Sequence, residues 1–393
     1  MTDPRRRPAA SSVFALLTLA ELEREGAAWD DLVSRAIDPH PHYTRHTLAA
    51  HRSAGLAADD LRIVVVRSRG RLDAVLPFRL TYDLCGLGRP VARPFESPFV
   101  TATLPLVADG PDLPETLEAL AAGLRAASDG RPWRWPLLAT GSRLGRALCA
   151  ALASEDWALG EVAAFERPML DRRASHEAFL ADHPNRGRLK DLRRRQRRLS
   201  EGGRVTLETA TAGEPLHAAV EAFLALEKTG WKGTAGSAMA CRAQHAAFAQ
   251  ALFAEGGGPV SARADILARD GHPLAISLAL VAGGTACLLK TTYDEDERAG
   301  APGLVLEAEI VRALHETAFA QRLDSATLAG SALESLYPER ESIAEIVAVP
   351  EGAGGLVSLD RRVRLARFEH AARAEAKRRL ADSGVVKRLM GRR

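Results

Sequence analysis

Hydrophobic and polar positions alternate along the first 165 residues in a pattern of short helices and strands. Apolar steps of three and four from Leu22 to Ile37 predict a helix. Asp38-Pro39 ends it, because the residue before a proline disfavours helical backbone. The runs Arg62–Arg67 and Leu72–Leu80 flank a turn and predict a β-hairpin, with Pro77 near an edge or bulge. Further predicted elements are short strands between Val91 and Val107, a helix over Leu113–Ala127, a strand over Trp133–Leu138 and a helix over Leu144–Ala153.

The second half begins with a strongly basic segment and then repeats the same order of elements. Asn185–Leu199 contains eight basic residues and one acid, with leucines at helical spacing, and this predicts a basic helix with a narrow apolar stripe. Gly202-Gly203 ends that helix. The elements predicted beyond it are a strand over Val205–Thr209, a helix over Leu216–Lys228, strands over Ala262–Arg269, Leu274–Val281 and Ala286–Tyr293, and a helix over Leu304–Thr317.

The repeated order of helix, hairpin, strand and helix predicts an α/β protein of two lobes. The 393 residues suit two domains of ordinary size. We expect an N-terminal lobe over 13–165 and a C-terminal lobe over 166–362 that includes the basic helix at 185–199. We expect a basic helical tail over 363–393. Each lobe is expected to be a mixed, twisted sheet flanked by helices.

Composition and charge narrow the class of protein. The formal charge is +3, with 53 basic against 50 acidic residues, which argues against a dedicated nucleic-acid binder. Four scattered cysteines without a CxxC pair argue against a zinc ribbon and fit a reducing compartment. Arg5–Arg7 and Val13–Ala20 imitate a signal peptide, but acidic residues follow at once, so we expect Thr18–Arg24 to start a helix. No apolar run reaches the about 18 residues of a membrane span, and a cytoplasmic, soluble protein is expected.

Several motifs stand in a characteristic order along the chain. The most distinctive is Leu226–Gly233, which reads LEKTGWKG. The others are Ala28–Leu32 followed by Pro39–Tyr43, then Val75–Phe78, Thr103–Leu106, Tyr293–Glu295, Pro302-Gly303, Asp324-Ser325 and Tyr337–Arg340. Taken in order, these motifs resemble the cellulose-biosynthesis CelD-like branch of the GNAT (acyl-CoA N-acyltransferase) superfamily, and the resemblance covers roughly residues 28–350. It departs at Tyr337, where the family often has tryptophan, and near Leu333, where the family has a histidine-proline pair.

The resemblance implies tandem GNAT-like lobes, distantly related to the Fem-type transferases, and transfer of an acyl group from acyl-CoA (acetyl-CoA) without a metal. It implies a small-molecule amine or sugar acceptor and polysaccharide-biosynthesis partners. Nucleic acid is not an expected partner. The residues expected to take part are Glu227, Lys232, Tyr293 and Asp294 in catalysis, Lys290, Arg298, Gly300 and Gly303 in donor binding, and Trp231, Asp324, Tyr337 and Arg340 in acceptor binding.

Acyl transfer from a thioester needs a polarised carbonyl, a deprotonated amine and a stabilised thiolate. The loop 298–303 joins a strand to a helix, where backbone N–H groups suit pyrophosphate, although a plain turn has the same composition. Tyr293 is a candidate acid for the thiolate and Lys290 a phosphate or oxyanion ligand. Their odd separation directs them to opposite faces of a regular strand. Glu227 or Asp294 is the candidate base. Surface roles for all four, and an anchoring role for Trp231, remain open at this point.

Other chemistries fit less well. His40, His42, His46 and His51 cluster without a carboxylate or cysteine at metal-binding spacing. The chain has neither a Gly-x-Ser-x-Gly elbow nor a Walker A loop. Cys287 lies in a predicted strand and is expected to be buried and inert.

Three functions therefore remain. The first is an acyl-CoA-dependent N-acyltransferase acting on a sugar or polysaccharide precursor. The second is a Fem-like transferase using aminoacyl-tRNA, in which the basic helix would bind RNA instead of serving as a solvated linker. The third is a non-catalytic GNAT-fold scaffold. The basic tail, including Lys377–Arg379 and Lys387-Arg388, is either a solvated helix or a contact to an anionic membrane.

Overall fold

A computed structural model describes residues 12–58, 60–254, 258–328, 330–352 and 358–382 of the chain. The strands are β1 (Val13–Thr18), β2 (Arg62–Ser68), β3 (Arg71–Tyr82), β4 (Pro90–Pro94), β5 (Leu106–Val107), β6 (Trp133–Ala139), β7 (Trp157–Asp171), β8 (Val205–Ala210), β9 (Val260–Arg269), β10 (His272–Ala282), β11 (Thr285–Tyr293), β12 (Arg322–Asp324) and β13 (Glu339–Pro350). The helices are α1 (Leu19–Glu23), α2 (Gly26–Arg35), α3 (Arg45–Ser53), α4 (Leu113–Ala127), α5 (Arg143–Ser154), α6 (His176–Asp182), α7 (Arg186–Glu201), α8 (Gly213–Thr229), α9 (Trp231–Thr234), α10 (Ala243–Leu252), α11 (Pro302–Thr317) and α12 (Leu359–Asp382).

The predicted mixed α/β class is confirmed, and most predicted elements lie within a few residues of their expected bounds. Local sequence explains several of the helix starts. Ser142 and Ser175 accept backbone hydrogen bonds as N-caps of α5 and α6. Thr18 and Glu21 form a capping box on α1. In the described ranges, no helix is both long enough and apolar enough to cross a bilayer.

The structure refines two local expectations. Residues Val13–Thr18, part of the apolar run that imitates a signal peptide, form strand β1 paired with β2, because their pattern also suits a half-buried strand. Arg5–Arg7 lie outside the described residues, as do Lys387-Arg388 of the tail. Pro77, expected near an edge or bulge, sits inside β3 opposite Ile63 and, in the described part of the chain, has no ladder partner on the other side of the strand. On its other side β3 changes partner there, from β5 to β4, so the missing N–H interrupts no ladder.

Contacts divide the described residues into two units that are not continuous in sequence. Unit 1 falls within Met1–Pro39, Asp59–Ala164 and Ile343–Glu369, and unit 2 within His40–Ala58, Phe165–Ser342 and His370–Arg393. This differs from the expected continuous lobes over 13–165 and 166–362 and from a tail that starts at 363.

Long-range pairing is the physical reason for the difference. The later residues of β13 pair antiparallel with β6, from Ile343 opposite Ala139 to Ala348 opposite Trp133. The first part of α12, up to Glu369, also belongs to unit 1, where Arg362 donates to the Cys85 carbonyl at 2.7 Å. In unit 2, helix α3 packs on α10, where the His51 ring lies 4.3 Å from that of Phe248.

The sheet of unit 1 has the order β1-β2-β3-β4-β6-β13, with β4 and β6 parallel and the other neighbours that are described antiparallel. Its core contains the buried Trp29, Trp133 and Trp135. The indole N–H groups of Trp133 and Trp135 donate to the carbonyls of Leu124 and Thr103, each at 3.0 Å. These bonds satisfy the polar atoms that would otherwise be buried without partners.

Unit 2 is built on the order β7-β12-β11-β10-β9-β8, in which β11 and β12 are parallel. Helices α8 and α11 both pack on β9, β10 and β11. They contact side chains of neighbouring residues of β11, since Glu227 of α8 reaches Lys290 and Glu307 of α11 reaches Thr291. Successive strand residues point to opposite faces, so the two helices cover opposite faces of the sheet.

Candidate active site

Strands β11 and β12 pair for only three residues and then separate. The parallel pairing runs from Thr285 opposite Arg322 to Cys287 opposite Asp324, where β12 ends, whereas β11 continues to Tyr293. A cavity of about 390 Å³ lies at this separation. We call it the β11–β12 cavity, and its walls are Lys232, Leu288, Leu289, Lys290, Thr291, Tyr293, Gly303, Leu304, Glu307, Ser325, Ala326, Thr327, Ala332 and Leu333.

Two lysines on the cavity wall share one buried carboxylate. Lys290 Nζ lies 2.8 Å and Lys232 Nζ 3.4 Å from Glu227 Oε1. Lys232 also donates to the Thr291 carbonyl at 3.0 Å, and the Met239 N–H donates to the other Glu227 oxygen at 2.7 Å. Burial, opposed by the Glu227 carboxylate, lowers the pKa of Lys232 below its ordinary value. Glu227 therefore lies behind the wall and holds both ammonium groups in place.

The start of α11 forms another part of the wall. Pro302 is the first helical residue, and Ala301 before it is left-handed at φ 50° and ψ 54°, an unfavourable conformation for alanine. A Cβ on Gly303 would lie 3.4 Å from the Tyr293 ring. The absent side chain at Gly303 thus leaves space beside Tyr293 at a helix N-terminus, where partial positive charge and backbone N–H groups favour anions.

Glu307 is a buried carboxyl on the same wall that the sequence analysis missed. Its side chain accepts from the Tyr337 hydroxyl at 3.0 Å and lies 3.5 Å from the hydroxyls of Ser277 and Thr291. Burial raises the pKa of Glu307 to about 7, and the hydrogen bond from Tyr337 offsets part of that effect. The sequence feature that could have indicated Glu307 is its position in the mostly apolar segment Leu304–Val311. Such a segment indicates a helix buried on most sides, so an acid within it is expected to be buried.

The structure brings four of the residues expected in the site to the cavity, namely Lys232, Lys290, Tyr293 and Gly303. Lys290 and Tyr293 leave β11 toward different helices, α8 and α11, in line with their odd separation. Among the described residues, the remaining eight lie off the cavity wall.

Four of those eight are near the cavity in sequence but have other surroundings. Trp231 is 58% exposed, and Arg298 is exposed too. Asp294 accepts the Asp296 N–H as the cap of a short 3-10 turn. Gly300 is buried under α7, where a Cβ would lie 2.4 Å from a Leu199 methyl carbon. Packing of α7 therefore accounts for a glycine at position 300.

The three residues expected to bind the acceptor from the last motifs have structural partners. Asp324 is buried, lies 3.5 Å from Arg167 and accepts the Ala326 N–H. Tyr337 is fully buried and is linked to the cavity through Glu307, to which its hydroxyl group donates a hydrogen bond. Arg340 donates to the carbonyls of residues 334, 337 and 339, so its guanidinium holds the loop before β13.

The other sequence candidates are the clustered histidines and Cys287. The ring nitrogens of His46 and His51 contact backbone carbonyls, and burial lowers the pKa of His42 well below its ordinary value. No group of three metal-ligating side chains occurs in the part of the chain that the structure describes. Cys287 is buried, and burial raises the pKa of its thiol.

Known proteins resemble this chain both in sequence and in fold. Residues 186–328 match the model of the Acetyltransferase (GNAT) domain. The match runs from α7 to four residues beyond β12 and includes the cavity wall except Ala332 and Leu333. The predicted resemblance to GNAT proteins is thus confirmed for this segment, and the match supports an acyltransferase.

Two solved structures share the fold over most of the chain. One is described as the C-terminal domain of a lysylphosphatidylglycerol synthetase from Agrobacterium fabrum, with 14% identity, a TM-score of 0.53, and coverage of 88% of this chain and 96% of that one. The other is FemX, with 10% identity, a TM-score of 0.54, and coverage of 82% and 95%. No curated protein sequence matches the chain significantly. At these identities the likeness concerns the fold alone.

Proposed function

We propose that unit 2 holds an acyl-CoA thioester in the β11–β12 cavity and transfers its acyl group to an amine. The observation that carries this proposal is the separation of β11 from β12 beside a helix N-terminus. On the side of β12, the backbone of β11 beyond Cys287 has no strand partner among the described residues. The Thr291 carbonyl accepts from Lys232, and otherwise such an open strand edge in a cavity favours an extended ligand with amides of its own.

The pantetheine arm of coenzyme A is such a ligand, because it is narrow, extended and contains two amide groups. It would add to the open edge of β11 as a further strand does, while the apolar walls Leu288, Leu304 and Leu333 cover its methylene groups. The volume of about 390 Å³ is in the range of small-molecule sites.

The charged end of the donor would lie toward the start of α11 and the two lysines. The α11 N-terminus, opened by Gly303, favours a pyrophosphate. Lys232 and Lys290 share the single carboxylate of Glu227, so this cluster adds positive charge beside the cavity. This assigns Lys290 and Gly303 to the donor.

The chemistry then needs stabilisation of the oxyanion and of the leaving thiolate. Lys290 or Lys232, fixed by Glu227, would stabilise negative charge on the thioester oxygen in a partly buried site, where such interactions are strong. The Tyr293 hydroxyl would donate a proton to the thiolate as the C–S bond breaks. The acceptor proposed from the CelD-like resemblance is an amino group on a sugar or polysaccharide precursor.

A second candidate donor is aminoacyl-tRNA, and helix α7 favours it. Arg193, Arg194, Arg197 and Arg198 are exposed on that helix and could follow a phosphate backbone. The shared fold with FemX is compatible with either donor.

Substitution of wall residues tests the proposal. We expect Lys232→Ala and Tyr293→Phe each to reduce acetyl-CoA turnover by about 10²-fold. The measurement is release of coenzyme A thiol in the presence of a panel of primary amines. Unchanged turnover in both variants would contradict the assignment.

A further inference from the structure

Unit 2 places two buried glutamates around one cavity and gives them opposite partners. Glu227 is paired with the ammonium groups of two lysines. Glu307 lies on the cavity wall, and within the described residues its partners are neutral hydroxyl groups with no cation in ion-pair distance. We propose that Glu307, and not Glu227, is the catalytic residue that takes the proton from the acceptor amine. This assignment rests on the proposed function.

The two carboxylate oxygens of Glu307 differ in their contacts. Oε2 accepts a hydrogen bond of 3.0 Å from Tyr337. Oε1 has only the hydroxyl groups of Ser277 and Thr291, both at 3.5 Å. Such long contacts leave Oε1 with capacity for a further donor, which an acceptor N–H in the cavity would supply. Tyr337 thereby fixes the orientation of the carboxyl group and leaves the other oxygen for the substrate.

The surroundings of Glu307 suit a group that takes and returns a proton near neutral pH. Burial raises the pKa of Glu307 to about 7, and Asp265 on β9 adds to this effect, whereas the Tyr337 hydroxyl lowers it. The remaining titratable groups on the cavity wall are Lys232, Lys290 and Tyr293. A base with a pKa near the working pH gives the most effective general catalysis.

The proposed step balances as follows. The amine lone pair attacks the thioester carbonyl carbon and forms the C–N bond, while Glu307 takes one proton from that nitrogen. The tetrahedral intermediate collapses, and the electron pair of the broken C–S bond stays on sulfur. The proton taken by Glu307 is returned, through Tyr293 or water, to the thiolate. The products are an amide and coenzyme A thiol, and Glu307 is again a carboxylate.

Variants of Glu307 and Tyr337 in the full-length protein test the proposal. The assay follows thiol release from acetyl-CoA with glucosamine as the probe amine, as a function of pH, together with calorimetric binding of acetyl-CoA. We expect Glu307→Gln to lower kcat by 10²–10⁴-fold and to leave the acetyl-CoA Kd within about twofold. We expect Tyr337→Phe to move the acidic limb of the pH profile to higher pH, because the hydrogen bond that favours the carboxylate is lost.

If Glu307 had a purely structural role, Tyr337→Phe would leave the acidic limb of the pH profile where it is in the wild type. A difference infrared titration of the wild type against Glu307→Asp adds a measurement that needs no substrate, and we expect a buried protonated carboxyl to lose its proton near pH 7. The proposal is overturned if Glu307→Gln keeps wild-type kcat and pH profile, or if that carboxyl titrates near pH 4. If wild type fails to bind acetyl-CoA, the proposed function fails, and this assignment with it.

Discussion

Both units contain buried or half-buried charged side chains, and two of these clusters differ in their surroundings. In unit 1 the Arg134 guanidinium is 2% exposed and contacts Glu345 at 2.6 Å, Glu369 at 2.7 Å and Asp83 at 3.3 Å. Burial opposes its charge, but the three carboxylates outweigh burial and hold the pKa of Arg134 above its ordinary value. In unit 2, by contrast, Lys232, Lys290 and Glu307 all face the β11–β12 cavity.

The difference indicates what each set of buried charges does. Burying a charge costs free energy unless the charge is paired. We therefore expect the Arg134 cluster and the charged residues of the cavity each to have a structural or functional role. Arg134 joins β6, β13 and α12, which are distant in sequence, and its role is to fix those elements. Lys232, Lys290 and Glu307 of unit 2 face a cavity, and they are the charged groups to which we assign the proposed chemistry.

The largest expected effect breaks the cluster of unit 1. We expect Arg134→Ala to lower the free energy of unfolding by about 3–5 kcal/mol, because it leaves buried carboxylates without their cation. Denaturant unfolding measures this. The control is Arg131→Ala, which removes the exposed pair with Asp129 and should cost less than about 1 kcal/mol. Weaker acetyl-CoA binding by folded Arg134→Ala would mean that unit 1 charges serve the site.

The next effect concerns the pH dependence of stability through Glu307. Its pKa is about 7 in the folded protein against an ordinary value of 4.5, so the folded state binds the extra proton between these values. Its contribution to stability is therefore present below pH 4.5 and is lost as pH rises through 7. At about 1.36 kcal/mol per pH unit, the wild type should lose about 3 kcal/mol relative to Glu307→Gln across this range. A constant difference between the two proteins would show that Glu307 is ionised throughout.

A smaller effect is expected for donor affinity. Lys290→Ala removes one of the two positive charges on the cavity wall, and we expect about tenfold weaker binding of acetyl-CoA by calorimetry, or about 1.4 kcal/mol. Lys228→Ala is the matched control, because Lys228 is exposed at the end of α8 and does not line the cavity. Equal losses in both variants would point to a general charge effect instead of a defined contact.

The smallest expected effect separates the two candidate donors. Arg194 and Arg195 are paired with Asp191, and Arg195 also holds the Ala299 carbonyl, so reversing them would disturb the structure. Arg193 and Arg197 are the better choice because both are exposed. We expect Arg193→Glu with Arg197→Glu to change acetyl-CoA affinity by less than about twofold. Loss of activity that appears only with aminoacyl-tRNA would favour the RNA donor.

Periodicity was enough to predict the elements but not their assembly. Helix α4 has the predicted bounds Leu113–Ala127, and β11 and α11 differ from the prediction by one or two residues. The bounds of the two units could not be predicted from the sequence, because β13 pairs with β6, which lies about 200 residues earlier in the chain. Alternation in a strand shows which face is buried but not which strand lies beside it.

The candidate site was predicted in part for a related reason. The motif Leu226–Gly233 indicated Glu227 and Lys232, and the structure places both beside Lys290. The sequence could not show that Glu227 lies behind the lysines, or that Tyr337 turns its hydroxyl toward Glu307 across 30 residues. Gly300 and Gly303 stand three residues apart in one loop, yet one packs under Leu199 and the other opens the cavity.

The most direct test of the account is a thermal shift with acetyl-CoA on two glycine variants and wild type. Gly303 and Gly187 are both the second residue of a helix, but only Gly303 lines the cavity, and a Cβ at Gly187 would meet no atom closer than 3.7 Å. We expect acetyl-CoA at a hundredfold excess over its Kd to stabilise wild type and Gly187→Val by about 2.7 kcal/mol. Gly303→Val, which fills the cavity beside Tyr293, should lose this stabilisation. An equal shift in all three proteins would place the donor outside the β11–β12 cavity, and no shift in any of them would contradict an acyl-CoA donor.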